Sequence, residues 1–556
     1  MPSSASCGSL TAVTVEAGPV LPSHEDPVVR ATSTLIGGPV GAHARLGGRR
    51  WWTVWRVLVA LTVITCTLGW AQKAQCRDTR NWSHAGGTYQ YTRLCYSDVV
   101  ALYGDERLSE HATPYVDHPV EYPVLIGAVM AIGADVAHAR PTSRLVGTPD
   151  GQQYDENQQA ATFYDVTVLL MALATLVLVI CTGLTSGRRR VWDAALVAVA
   201  PTIVIHLGTN WDMLAVALAS AGLLAWGRRR PWLAGALLGL AVASKAYPLL
   251  FLFPIGLLCL RTGRLRDFSR VAAGTLGSAA AVCAAVWPFS PAFATDKVDG
   301  TFAQLGPSAW QVLRHGGGVG DVLAALAPHH DGGTNGLVRF VTLNRTRPAD
   351  FDSLWYALGD QLGHPISGHR LTLGVVGAFL VVAGGVAALA LLAPRRPRLP
   401  QLLFLTVVGF LLVNKVFSPQ YTLWLLPLAV LARPRWRAFL AWQATELVLL
   451  VARYAYFINM SPDRVSKSGA PYGWFEATVV VRDGALLALC ALVVVDVLRP
   501  GGDVVRAGGG DDPAGGVLDG APDTPAFAAR PAERPEIYDG HEIHDGLQIH
   551  DGLQPA

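Results

Sequence analysis

Residues 161–190 read ATFYDVTVLLMALATLVLVICTGLTSGRRR. From about 161 to 182 the stretch is apolar over the ~20 residues a helix needs to cross a bilayer, and Arg188, Arg189 and Arg190 follow. Such a segment reads as a membrane span whose arginines stay on the cytoplasmic side. The bulk composition agrees. Of 556 residues, 51% are hydrophobic and only 15% charged, which excludes an ordinary soluble globule of this length. The net charge of +3 sits in short clusters, with no basic stripe interleaved with aromatics, so no nucleic-acid partner is expected.

Working outward, Arg49 and Arg50 precede a span near 51–71 and place the N-terminus in the cytoplasm. Residues 72–160 then form a first outer loop. The apolar stretch 121–138 starts at Glu121-Tyr122-Pro123 and is broken by Gly133 and Asp135, so it reads as a juxtamembrane helix within that loop. Spans near 191–207 and 211–226 form a hairpin with its tip at Gly208-Thr209-Asn210-Trp211-Asp212. Arg228, Arg229 and Arg230 return the chain to the cytoplasm. Residues 232–260 are too long for one span, and the break at Lys245-Ala246-Tyr247-Pro248 predicts two half-spans with Lys245 at the outer tip. A span near 268–287 leads to a second outer loop, 288–370, and another near 371–393 returns to Arg395, Arg396 and Arg398. Spans near 400–414 and 419–432 flank Asn414-Lys415-Val416-Phe417-Ser418-Pro419-Gln420-Tyr421, and a last pair near 438–458 and 477–497 leaves the C-terminus inside.

The expected fold is an all-α polytopic membrane protein of about twelve spans, built by residues 49–498. Residues 1–48 and 499–556 read as disordered cytoplasmic tails, the second ending in a degenerate repeat around Asp539-Gly540, Asp545-Gly546 and Asp551-Gly552.

This orientation rests on arginines alone, yet it places Asp98, Asn210, Asp212, Lys245, Lys415, Ser418 and Gln420 at one face, the outer one. Ionisable groups at membrane depth are costly and tend to line functional cavities. Each also has a plain reading. Asp98 and Asp212 read as helix N-caps, the lysines as side chains reaching to headgroups, and His206 as a packed helix residue. Glu446 and Arg453 are spaced to form an internal ion pair within one span.

Taken together, the residue types suit transfer of a sugar from a lipid phosphate to a hydroxyl. That reaction needs a base for the hydroxyl proton, supplied by Asp98, and cations for the departing phosphate, supplied by Lys245 and Lys415. No His-Glu-x-x-His or paired Cys-x-x-Cys suggests zinc, and no phosphate-binding glycine loop suggests ATP-driven work. Gly235-x-x-x-Gly239 reads as helix packing. Five of the eight cysteines, Cys66, Cys181, Cys259, Cys283 and Cys490, read as buried thiols. Cys76 and Cys95 share the first outer loop, where an oxidising exterior favours a disulfide.

With these residues in view, the chain resembles the polytopic GT-C glycosyltransferases. It is most similar to the actinobacterial polyprenyl-phosphate-mannose-dependent mannosyltransferases of glycosyltransferase family 87. The likeness covers about residues 51–497. It rests on Cys95-Tyr96-Ser97-Asp98, Glu121-Tyr122-Pro123-Val124-Leu125, Asn210-Trp211-Asp212, Lys245-Ala246-Tyr247-Pro248-Leu249-Leu250 and the 414–421 motif. It implies a GT-C-like bundle in the plasma membrane and an extracytoplasmic site. It also implies an inverting hexosyl transfer from a polyprenyl-phosphate-sugar, with mannose favoured, to a lipid- or glycan-linked hydroxyl. By motif position Asp98 is the base, with Lys245, Lys415, Gln420 and Tyr421 at the donor phosphate. Ser97, Glu121, Tyr122, Asn210, Asp212 and Ser418 stand around the substrate. Ser97 and Val99 flank Asp98 where many relatives carry a second acid, so a single base is expected. No cofactor or metal ligand is assigned, and a divalent cation is left open. The competing readings are a transporter or flippase, and a non-catalytic scaffold of envelope synthesis. A transporter should have two related halves, whereas the loops at 72–160 and 288–370 have no matching partners.

Overall fold

The computed structural model describes residues 26–36, 51, 53–78, 88–140, 149–295, 302–326, 334–460, 469–508 and 511–527. Five of its helices are long and apolar enough to cross a membrane: Val54–Cys76, Asp155–Thr185, Leu265–Phe289, Gly368–Leu392 and Tyr472–Leu498. Six apolar helices are shorter, and Trp436–Met460 is long but carries Glu446 and Arg453. Twelve crossings would require the short helices to cross as hairpins.

Four of the short helices pair as two broken hairpins. Pro231–Val242 ends just before Lys245, and the chain resumes as a 3-10 turn and the helix Leu252–Arg261. Gly235 and Gly239 let the first arm press on the neighbouring helix Leu265–Val286. A Cβ on either would come within 2.4 Å of the Val271 or Thr275 carbonyl oxygen. Leu399–Val413 and Thr422–Ala432 form a second broken hairpin around 414–421. At its base Arg398 donates to the carbonyls of Leu431 (2.8 Å) and Ala432 (2.6 Å). The expected 191–207 span is broken instead, because Pro201 starts a new helix, Pro201–His206, after a turn at Val199–Ala200.

Arginines from separate clusters meet at one end of the bundle, and there the sequence reading of the C-terminus needs correction. The first part of the presumed tail is docked. Arg398 pairs with Asp503 (2.7 Å), Arg396 with Asp511 (3.0 Å) and Asp523 (3.2 Å), and Arg261 with Asp523 (2.7 Å). Arg190 and Arg229 donate to the carbonyls of Val504 and Gly516 at 3.2 Å each. A Gly- and Asp-rich strap has no apolar period to read, but it has carboxylates to answer buried guanidinia. The terminal repeat lies outside the described residues. At the other terminus, Pro27–Ile36 is a helix rather than tail, and Asp26 accepts a bond from the Trp436 amide (3.2 Å).

The 288–370 loop corrects the all-α expectation in a small way. Strand β1 (Ala292–Thr295) lies between β2 (Phe302–Gln304) and β3 (Thr334–Asn335), both antiparallel to it. This loop is tied to the first one through Arg339, which binds Glu106 (3.1 Å) and the Pro119 carbonyl, with His118 3.2 Å from the same carboxylate. The two long loops thus close together over the end of the bundle opposite the arginine clusters. Of the five free cysteines among the described residues, three are buried, but Cys283 is exposed and Cys490 half-buried. The apolar side of a span can leave a thiol facing lipid.

Candidate active site

Between the two loops and the broken helix tips lies a cavity of about 860 Å³. Its first wall is the segment leading from Val54–Lys73. Cys76 and Cys95 are joined by a disulfide with Cα atoms 5.7 Å apart. Lys73, fully buried, donates to the Tyr96 carbonyl at 2.7 Å. Ser97 then does the capping work that Asp98 was expected to do. Its hydroxyl accepts from the Val99 amide (3.2 Å) and donates to the Gly208 carbonyl (2.6 Å). Asp98 is the first residue of the helix Asp98–Asp105, its amide donates to the Thr209 carbonyl (2.9 Å), and its carboxylate is left for the cavity. The Tyr96 phenol is its side-chain hydrogen-bond partner.

The second wall is built around Lys245. Its ammonium sits 2.8 Å from Asp212 and over the rings of Tyr122 and Tyr421, at 5.0 and 5.1 Å. Asp212 is not the helix cap either. Asn210 accepts from the Asp212 amide (3.0 Å), and the Asp212 carboxylate takes Lys245 and the Trp424 indole N–H (3.0 Å). Trp424 is stacked between Tyr421 and Tyr247, with ring centroids 4.1 and 4.3 Å away. A charged side chain at this depth is therefore held by one carboxylate and a rigid aromatic wall.

The third wall brings the 288–370 loop against the 414–421 tip. Lys415 donates to the carbonyls of Arg345 (3.1 Å) and Arg347 (2.7 Å), its own carbonyl accepts from the Asp350 amide (2.8 Å), and Ser418 donates to the Asp350 carboxylate (3.2 Å). Two of the three ammonium donors of Lys415 are thus spent on holding a loop that presents Arg347 to the cavity. Arg453 does not pair with Glu446. It bonds Asp352 (3.2 Å), while Glu446 accepts from Trp442 (2.8 Å). Loop and helix meet where the sequence shows only a seven-residue spacing within one span.

Burial pushes the Asp98 carboxyl above its ordinary value, against the opposing pull of the Tyr96 hydrogen bond and the Arg453 and Lys245 charges. Glu121 is raised too, by burial and by Glu106 and Asp98. Burial lowers Lys415, as does Arg347. Among the described residues no group of three or more His, Cys, Asp and Glu is placed to hold a metal ion.

Of the residues singled out in the sequence, Asp98, Glu121, Tyr122 and Lys245 line this cavity, as do Lys415, Ser418, Gln420 and Tyr421. Ser97, Asn210 and Asp212 stand behind it and act through the bonds given above. The reading missed Tyr96, Arg347 and Asp352, and it gave Arg453 and His206 plain roles although both reach the cavity wall. An arginine alone in an apolar span was a usable signal.

The described residues thus form a helical membrane protein with a large polar cavity walled by carboxylates and several cations. The comparison with known families points the same way: residues 158–419 match the model of glycosyltransferase family 87, which indicates glycosyltransferase activity. The match takes in Asn210, Asp212, Lys245, Lys415 and Ser418, and lies outside Asp98, Glu121, Gln420 and Tyr421. No curated protein matches the chain.

Proposed function

We propose that this glycosyltransferase moves a hexose, mannose, from a polyprenyl-phosphate donor to a lipid- or glycan-linked hydroxyl, with inversion and with Asp98 as the base. As the acceptor oxygen bonds to the anomeric carbon, the bond from that carbon to the phosphate oxygen breaks. The hydroxyl proton passes to Asp98 and the polyprenyl phosphate leaves as an anion. Lys245, Arg347 and the remaining N–H of Lys415 stabilise that charge, and Gln420 and Tyr421 complete the phosphate side. Glu121, Tyr122 and Ser418 flank the sugar and the acceptor. Asn210, Asp212 and Ser97 fix the groups that touch them.

The reading carries a location with it. The protein lies in the plasma membrane, the cavity opens on the extracytoplasmic side, and both termini lie in the cytoplasm. The observation that carries the mechanism is a single one: a partly buried carboxylate of raised pKa shares a cavity with several cations. A base held above the ordinary carboxylate range takes a proton more readily at neutral pH.

The test uses purified protein in lipid discs with radiolabelled polyprenyl-phosphate-mannose and extracted envelope glycolipids as acceptors. Label is expected to move to the glycolipid fraction in wild type and to be lost in Asp98→Asn that still binds donor. Transfer by Asp98→Asn at the wild-type rate overturns the base. Transport of donor across the bilayer without transfer would favour a flippase.

A further inference from the structure

The cavity and the arginine end leave one conspicuous surface unexplained. In the 288–370 loop two short helices, Ala309–Arg314 and Val319–Leu326, form a hairpin. A left-handed Gly316 (φ 80°) turns the chain between them. The sequence builds both ends deliberately. Ser308 and Gln311 form a reciprocal capping box, and Asp321 accepts from the Gly318 amide at 2.9 Å. Yet Trp310, Leu313, Val319 and Leu323 are exposed, Val319 by 79%. Trp310 and Leu313 are three apart and Val319 and Leu323 four apart, so each pair shares one helix face. Gln311, Arg314, His315 and Asp321 are the polar residues of the hairpin, and Gln311 is taken up by the capping box.

The neighbouring surface says what covers this face. The chain enters the loop directly from Leu265–Phe289, a span whose most apolar window is only 11% buried in the protein. The rest of that span's surface faces hydrocarbon. Its last residue, Phe289, is itself exposed, and its ring lies 5.3 Å from that of Trp310. The apolar face of the hairpin is therefore continuous with the lipid-facing side of the span and begins where that span ends. Tryptophan is favoured at this level, and short amphipathic helices bury their apolar face at the boundary between headgroups and acyl chains.

We propose that the hairpin 309–326 rests on the bilayer at the cavity end, with Trp310, Leu313, Val319 and Leu323 in the lipid interface. The partner is the membrane's own lipid. The same loop continues into Arg339–Thr346, which lines the cavity through Phe340, Leu343 and Asn344. The hairpin thus ties one wall of the cavity to the membrane surface.

The test uses the full chain in phospholipid discs, with the six cysteines outside the Cys76–Cys95 bridge, Cys7 among them, replaced by alanine and the bridge kept. Nitroxide labels are placed singly on Leu313→Cys, Leu323→Cys, Arg314→Cys and Asp321→Cys. Each sample is checked for monodispersity. Relaxation by oxygen, which concentrates in lipid, is compared with relaxation by a water-soluble nickel chelate. Labels at 313 and 323 are expected to favour oxygen several-fold more than labels at 314 and 321. Equal preference for nickel at all four sites overturns the proposal in favour of a water-exposed face. Protection of 313 and 323 from both agents overturns it in favour of a protein partner, and a second copy of this chain would then appear as a larger particle.

Discussion

The two ends of this bundle use the same residue types to opposite effect. At the arginine end, Arg398 and Asp503 are both almost fully buried and satisfy one another, and Gln401 adds a bond to Asp503 at 3.2 Å. At the cavity end, Lys245 is also buried and Asp98 and Arg453 partly so, but each faces an open space of about 860 Å³. Charge buried on all sides is a matter of architecture. Charge buried on all sides but one is available to a substrate. Position alone does not separate the two, since both lie at the mouths of the same helices.

The sharpest way to break this contrast is to remove one acid from each end. Asp98→Asn should lower transfer by about 10²- to 10⁴-fold, the usual contribution of a general base, with little change in melting temperature. Asp503→Asn should do the reverse. It leaves a buried guanidinium without its carboxylate, a loss of about 3–5 kcal/mol, visible in thermal unfolding, while the molecules that remain folded turn over normally. Equal effects of the two variants on stability and turnover would erase the distinction. Next in size is the bridge on the cavity side. Replacing Cys76 and Cys95 together by alanine should cost about 3 kcal/mol for a loop of this length, read by the same melting experiment.

The smallest effect is the most specific to the cavity. Asp98 must be ionised to accept a proton, and burial raises its pKa above 3.8. Turnover should therefore rise with pH through that elevated value and fail below it. The Tyr96 hydrogen bond favours the ionised form. Tyr96→Phe should thus raise the pKa further and move the acid limb of the pH–rate profile to higher pH, with the plateau nearly intact. An unmoved or opposite shift would show that Asp98 does not set that limb.

Much of the frame was legible because membrane proteins write it in local terms. Apolar length, proline breaks and arginine clusters are short-range signals, and they placed Lys245 and the 414–421 turn at helix tips as the structure has them. What escaped was pairing over long sequence distances. Asp503 meets Arg398 across 105 residues, and Arg453 meets a loop carboxylate from outside its own helix. Composition also misled. Residues 499–527 are rich in glycine and aspartate, the signature of an unpacked tail, but they dock through charge, backbone carbonyls and a few scattered apolar side chains such as Leu518, with no periodic apolar face. In the site, the motifs marked the right turns but not the division of labour within them. Ser97 caps its helix and Asn210 accepts from the Asp212 amide, which leaves the neighbouring carboxylates to other partners.

The docked strap also orders events during synthesis. Arg261, Arg396 and Arg398 enter the membrane-facing bundle long before the ribosome reaches Asp503, Asp511 and Asp523. Until then those guanidinia lack their carboxylates, and the arginine end of the bundle stays unsealed. Closure therefore waits on synthesis of the strap, and a nascent chain halted before residue 503 would expose unpaired arginines to the cell's quality control.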